Sequence, residues 1–390
     1  MAAPVVASAV EHAPAPNPAT VTSAPWHRPG YKPPIIVDFH GHLSITGVKR
    51  IARHMDANAV GMIINLSGGS GRNGGVGWKY ALALANALPG KIVNFANVDW
   101  RGCCGKEWSK REVARLRFAV TRLGYKGLKI SKALGLGATD EAGKLVAVDD
   151  PRLGPLWQEA ARWKLPVAIH VADPKAFWQP LDKKNERWDE LSVHPSWSYH
   201  GEEVPSWTEL LDAAERMYAA NPKTTFVAVH FGNAGEDPDR VGRMLKRLPN
   251  VNIDIAARVG EFGRHDPAKM RQFFIDHQDR IVFGTDIGIA DDYLMLGSNG
   301  AEMPTDADVR PFFDAHFRYL EGKSRQIDHP SPIQGRWKVD AINLPAAVLD
   351  KVYRGNALKL LGRVVEAKPA PTPVGKAAGK QPATGKPSPK

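Results

Sequence analysis

The sequence predicts an α/β protein, a (β/α)8 TIM barrel with long loops after its fifth and eighth strands. Three observations carry that expectation. Eight short apolar runs alternate with stretches of helical spacing. Ionisable residues close several of those runs. No glycine-rich turn follows the first run, which favours the barrel over a doubly wound sheet.

The runs are IIVDFH, AVGMIINL, KIVNFANV, YKGLKI, LPVAIHV, TTFVAVHF, NVNIDIA and DRIVFGT. They are short, rich in β-branched residues and nearly continuous in apolarity, as parallel strands buried on both faces are. Helical spacing is clearest in GVKRIARHMDAN, WSKREVARLRFAVTRLG, PRLGPLWQEAARWK, SWTELLDAAERMYAAN and DPDRVGRMLKRLP. DDPRLGPLW opens with an acidic cap and a proline in the first turn. Two segments break the rhythm: residues 172–205, with Trp178, Trp188 and Trp197, and residues 287–345. Loops that follow strand ends are where a barrel builds its active site.

The chain has 390 residues, 43% of them hydrophobic, enough for one large core. A formal charge of +11 raises the question of nucleic acid or an anionic surface. The distribution answers it. The closing EAKPAPTPVGKAAGKQPATGKPSPK holds five lysines against one glutamate, and elsewhere basic residues are scattered among acids. No nucleic-acid partner is expected. Residues 1–30, rich in Ala and Pro, and the Lys/Pro/Ala-rich 365–390 read as disordered, leaving 31–364 as the folded body. No apolar run reaches the length of a membrane span. The only cysteines, Cys103 and Cys104, are adjacent; neighbours bridge only with strain, so no disulfide framework is expected. This favours a reducing, cytoplasmic compartment, although a removed leader would leave a secreted or periplasmic location open.

Chemistry gathers where the runs end. His40 and His42 close the first, Lys129 the fourth, His170 the fifth, His230 the sixth and Asp286 the eighth. In a strand, residues i and i+2 point to one side, so His40 and His42 face one point at the barrel mouth. Gly41 between them removes a side chain where backbone must come close. Imidazole nitrogen and carboxylate oxygen suit zinc and similar divalent ions. The set points to one divalent metal, Zn2+ first, with Mn2+ or another ion open. Lys129 could bridge two metals if carboxylated, bind a substrate anion, or simply point into the barrel. His54, His194, His200, His265, His277 and His316 read as surface or loop residues.

This arrangement resembles the amidohydrolase superfamily. It is similar to the amidohydrolase-related (amidohydrolase 2) branch, which includes aminocarboxymuconate semialdehyde decarboxylase. The residues that carry the likeness are VDFHGHL, YKGLKI, DDPRLGPLWQEAARWKLPVAIHVADP, FVAVHFGN, NVNIDIAAR, DRIVFGTD and VYRGNALKLL, spanning about residues 35–362. The resemblance implies that His40, His42, His170 and Asp286 bind one metal. It places His230 beside the activated water and gives Asp286 a second role in moving its proton. Decarboxylases of the branch hold a carboxylate with arginine, which makes Arg258 the candidate and Arg101 the second. Trp178 is a candidate pocket residue with a loop-anchor alternative. Family relatives suggest a homodimer. The tryptophan-rich loop and the insertion PFFDAHFRYLE…SPIQGRW depart from the decarboxylase pattern.

The leading expectation is a metal-dependent hydrolase. It would turn activated water on an amide, ester or lactone of a small molecule, with His230 and Asp286 managing protons. The alternative keeps the site and removes CO2 from an unsaturated or aromatic acid; a basic pocket with Arg258 or Arg101 facing the metal would favour it. A non-catalytic metal-binding barrel is the alternative of another class.

Overall fold

The computed structural model describes residues 24–362. Eight parallel strands follow one another in chain order: β1 (Ile36–Leu43), β2 (Val60–Asn65), β3 (Ile92–Asn97), β4 (Gly127–Ile130), β5 (Pro166–Ile169), β6 (Thr225–Ala228), β7 (Val251–Asp254) and β8 (Ile281–Val282). Each pairs in parallel with the next. Every apolar run of the sequence forms one of them, and the fold is the expected α/β TIM barrel.

The seam between the last strand and the first differs from a simple repeat. β8 pairs with β7 over two residues only. The chain then breaks at Asp286, whose φ is 64°, and resumes as β9 (Ile287–Ile289), which pairs in parallel with β1. Phe39 N–H donates to Phe283 O at 2.8 Å, and Asp286 N–H donates to His40 O at 2.9 Å. β10 (Leu294–Leu296) turns back antiparallel on β9 and extends the sheet to ten strands.

Val37, Phe39, Ile64, Phe95, Ala168 and Val227 pack together with Ala357 and Leu360 of the final helix, Asn356–Leu361. That helix is the NALKLL of the closing VYRGNALKLL segment. The opposite strand faces, with Ile63, Leu128, Val167 and Ile253, join the helices in one larger core. Helices form at Val48–Ala57, Lys106–Leu123, Gly154–Arg162, Trp207–Ala220 and Pro238–Arg247, where helical spacing placed them. Asp150 caps the turn that opens with Pro151, and Ser206 and Glu209 form a capping box. Helices Val76–Ala87 and Pro267–Asp276 complete the outer ring; Val309–Glu321 belongs to the insertion after β8. Among the described residues no helix is long and apolar enough to cross a membrane.

Several expectations need correction. Residues 24–30, placed in the N-terminal segment, are tied to the body: Trp26 N–H donates to Asp314 at 2.8 Å and Arg28 Nη1 to Leu344 O at 2.7 Å. The expected tails 1–23 and 363–390 lie outside the described residues. The sulfurs of the adjacent Cys103 and Cys104 lie against each other; a contact between neighbours staples no distant elements, so no disulfide framework forms among the described residues. His54, His277 and His316 are buried rather than superficial. The insertion covers the first and third: Asp306 meets His54 Nε2 at 2.9 Å, and His316 Nδ1 bonds Phe312 O at 2.8 Å within the helix Val309–Glu321. His277 packs edge-on against Phe273.

Gly41 answers to packing on the outer face. A Cβ there would stand 2.6 Å from Ile63 Cγ2. Gly41→Val is expected to cost about 1–3 kcal/mol in denaturant unfolding. Trimming the obstacle, Ile63→Ala, should reduce the cost of the valine when the two changes are combined. An undiminished loss in the double variant would place the constraint elsewhere.

Candidate active site

β1 carries a bulge where it matters. Between Asp38 and Gly41 it places two residues, Phe39 and His40, against one of β2, Ile64. A bulge re-aims side chains, so Phe39 packs in the barrel core while the next residue, His40, reaches the mouth. Asp38, without solvent access, accepts from His40 N–H at 3.0 Å, Thr285 N–H at 3.1 Å and Thr285 Oγ at 2.5 Å. Burial pushes its carboxyl up to about 7 in spite of these bonds. The first strand and the break after β8 are thereby locked together.

That lock brings His40, His42 and Asp286 to one point. His40 Nε2 and His42 Nε2 lie 3.3 and 3.2 Å from Asp286 Oδ1. The three offer donor atoms close enough together to hold one ion. His42 Nδ1 is held by Ser67 Oγ at 2.7 Å and His40 Nδ1 by Asp254 Oδ2 at 2.7 Å, which leaves each Nε2 for the shared centre. His170 and His230 close the other side. Their ring centroids are 4.4 Å apart, and His230 is 4.7 Å from His40. His170 Nε2 has Asp173 Oδ1 at 3.4 Å, outside hydrogen-bond geometry, and lies outside the His40–His42–Asp286 group. His230 Nδ1 lies 3.0 Å from Ala256 O. A carbonyl only accepts, so that nitrogen carries the proton and Nε2 keeps its lone pair.

The electrostatics suit a cation. Burial lowers His40, His170 (to about 4) and His230, so these imidazoles are neutral and have lone pairs to give. For Asp286 burial acts upward, but His40, His42 and Lys129 together hold it below the usual carboxylate range. Among the described residues the buried Nε2 atoms of His40 and His170 have no hydrogen-bond partner. Buried polar atoms are rarely left so, and a divalent ion would engage them. The donor set fits the metal expected from the sequence.

A cavity of about 130 Å³ opens on this cluster. His170, His230 and Asp286 line its inner end; Phe177, Trp197 and Met295 form apolar wall. Arg258 also lines it. Its Nη1 donates to Ala257 O at 2.7 Å, and among the described residues no carboxylate is bonded to it. The other lining cations are neutralised: Lys132 pairs with Asp173, and Arg187 with Glu190 and Glu261. Lys129 is buried, and among the described residues its Nζ has no hydrogen-bond partner. Two other candidates stand elsewhere. Arg101 pairs with Asp99 at 2.8 Å and is outside the cavity. Trp178 is a loop anchor, its Nε1 donating to Pro205 O at 3.0 Å and its ring against Tyr199. Sequence reasoning missed Asp254 and Asp38, both buried ionisable residues inside apolar strand runs. It also missed Asp173, three residues after His170.

Fold and site together define a (β/α)8 barrel with an imidazole–carboxylate cluster at the C-terminal ends of its strands. The family model described as Amidohydrolase matches residues 94–363, and the chain belongs to that family. His40 and His42 precede the matched segment; His170, His230, Arg258 and Asp286 fall within it. No curated protein matches the chain. Among solved structures, an uncharacterised TIM-barrel protein from Bordetella bronchiseptica is similar at 14% identity and TM-score 0.49, covering 84% of this chain and 98% of that one. A 2,6-dihydroxybenzoate decarboxylase has 14% identity and TM-score 0.47, covering 84% and 99%. A probable 2-pyrone-4,6-dicarboxylic acid hydrolase from Acinetobacter baumannii has 13% identity and TM-score 0.43, covering 84% and 100%.

Lys129 gives a test of the site's cost. Burial lowers its pKa from 10.5 to about 8, so the unfolded chain holds the proton more tightly. The penalty is full below the folded value and fades as pH rises through 8 towards 10.5. Lys129→Met should therefore stabilise the metal-free protein at pH 7 by about 1–3 kcal/mol, with the gain shrinking in alkaline solution. Urea unfolding across that range checks it. A variant less stable than wild type at pH 7 would contradict it.

Proposed function

We propose that the chain is a metal-dependent hydrolase that cleaves an amide, ester or lactone of a small anionic molecule. The observation that carries the reading is His230. Its Nδ1 proton is committed to Ala256 O, and its Nε2 lone pair is available beside Asp286 and His170.

His40, His42, His170 and Asp286 are the residues that would hold the metal. A divalent ion there acidifies water and polarises a substrate carbonyl. The chain's own groups do the rest. His230 Nε2 accepts the proton that water gives up as it attacks, and returns it to the leaving group. Asp286 stays ionised through the step, orienting the water by accepting its hydrogen bond and keeping a negative charge near the centre. Arg258 binds the substrate's anionic group, since among the described residues no carboxylate is bonded to it. Phe177, Trp197 and Met295 keep bulk water from the reacting atoms.

A second reading, non-oxidative decarboxylation of an unsaturated or aromatic acid, is favoured by one observation: Arg258 shares a small cavity with His170, His230 and Asp286. Isotope separates the two. Zinc- or manganese-loaded protein is offered carboxylated lactones, esters, amides and aromatic acids in 18O-labelled water. Label in a product carboxyl supports hydrolysis; CO2 release without it supports decarboxylation.

His230→Asn is expected to lower kcat about 10²–10⁴-fold while metal content is retained. Turnover within threefold of wild type would remove His230 from the role.

A further inference from the structure

We propose that Asp254 is a positioning residue that fixes the proton of His40 and the backbone of His230 from one buried carboxylate. The assignment deepens the metal-site reading and rests on it only for its effect on metal affinity.

Asp254 is the last residue of β7 and has no solvent exposure. Its Oδ2 meets His40 Nδ1 at 2.7 Å. Its Oδ1 accepts from His230 N–H at 2.7 Å and from Ala256 N–H at 3.1 Å. A carboxylate only accepts, so His40 must carry its proton on Nδ1. Its Nε2 is then a lone pair, aimed at the space shared with His42 and Asp286.

The second oxygen governs His230. That residue and Phe231 both have φ 56°, a left-handed conformation that non-glycine residues adopt at some cost. The His230 N–H at the start of this turn is held by Asp254, a bond strengthened by charge. The turn swings the imidazole to where Nδ1 reaches Ala256 O, two residues beyond Asp254 itself. One carboxylate thus sets a β1 imidazole by its ring and the imidazole after β6 by its backbone.

Asp254 has a rival role as a ligand, because His40, His230 and Asp254 also offer three donor atoms near one another. Its contacts oppose that. Oδ1 is filled by two backbone N–H groups, and Oδ2 sits on His40 Nδ1, the ring nitrogen opposite the Nε2 that meets His42 and Asp286.

The test is Asp254→Asn, close to the same shape. Its amide oxygen can keep the two backbone N–H bonds. Its NH2 then faces His40 Nδ1 and donates, which moves the imidazole proton to Nε2. Long-range 1H–15N correlation on metal-free protein with 15N-labelled histidine reads this directly, with the His40 signal assigned by its loss in His40→Asn. The expected result is Nδ1–H in wild type and Nε2–H in Asp254→Asn. Chelator competition should show zinc affinity lower by about 10–100-fold in the variant. Unchanged His40 tautomer, or zinc affinity within twofold of wild type, overturns the proposal. If Asp254→Asn does not fold, the wild-type spectrum decides, because Nε2–H on His40 contradicts the assignment. Failure of wild type to bind zinc or manganese would sink the metal-site reading and leave the tautomer result standing.

Discussion

A buried carboxylate at the barrel seam holds the rest of the structure in place. Asp38 takes one backbone N–H from the first strand and two donors from Thr285, just after the eighth. Those bonds draw together a strand with a bulge and a strand that is broken. Neither irregularity closes a barrel by repetition. Together they put His40, His42 and Asp286 within reach of a single ion.

The site costs stability and is supported accordingly. It keeps Lys129 Nζ and two imidazole nitrogens buried without hydrogen-bond partners, and it holds His230 and Asp286 at positive φ. Each is unfavourable in a folded core. The support comes from the bonds of two buried carboxylates: Asp38 on Thr285, Asp254 on His40 and His230. The outer wall uses the same device with full charge pairs, Arg187 with Glu190 and Glu261, and Lys132 with Asp173. Among the described residues Arg258 is the one lining cation without a carboxylate bond, which is the physical basis for proposing an anionic substrate.

Most of the barrel was legible because each repeat writes its own signal. An apolar run such as LPVAIHV is a strand wherever it pairs, and its histidine stands at the end by position. What depended on pairing between distant segments was not legible. The two-residue β8 and the turn at Asp286 follow from closure against β1, which no local pattern records. His54 and His316 were misplaced because the insertion that covers them had no recognised packing. Asp254 was within reach: it is an ionisable residue in the apolar run NVNIDIA, as Lys129 is in YKGLKI. Apolar residues follow it, so the local pattern does not mark it as the end of a strand. Arg101 carried its own counter-evidence, since Asp99 stands two residues before it.

The proposed chemistry centres on a metal that would be held by His40 and His42 of β1, His170 after β5 and Asp286 at the break after β8. Elemental mass spectrometry of the purified protein and of a His40→Ala/His42→Ala variant tests this directly. The account predicts about one equivalent of zinc or manganese in the wild type and a loss of it in the variant. Wild-type protein that holds no metal after incubation with either ion, or a variant that keeps its full equivalent, would contradict it.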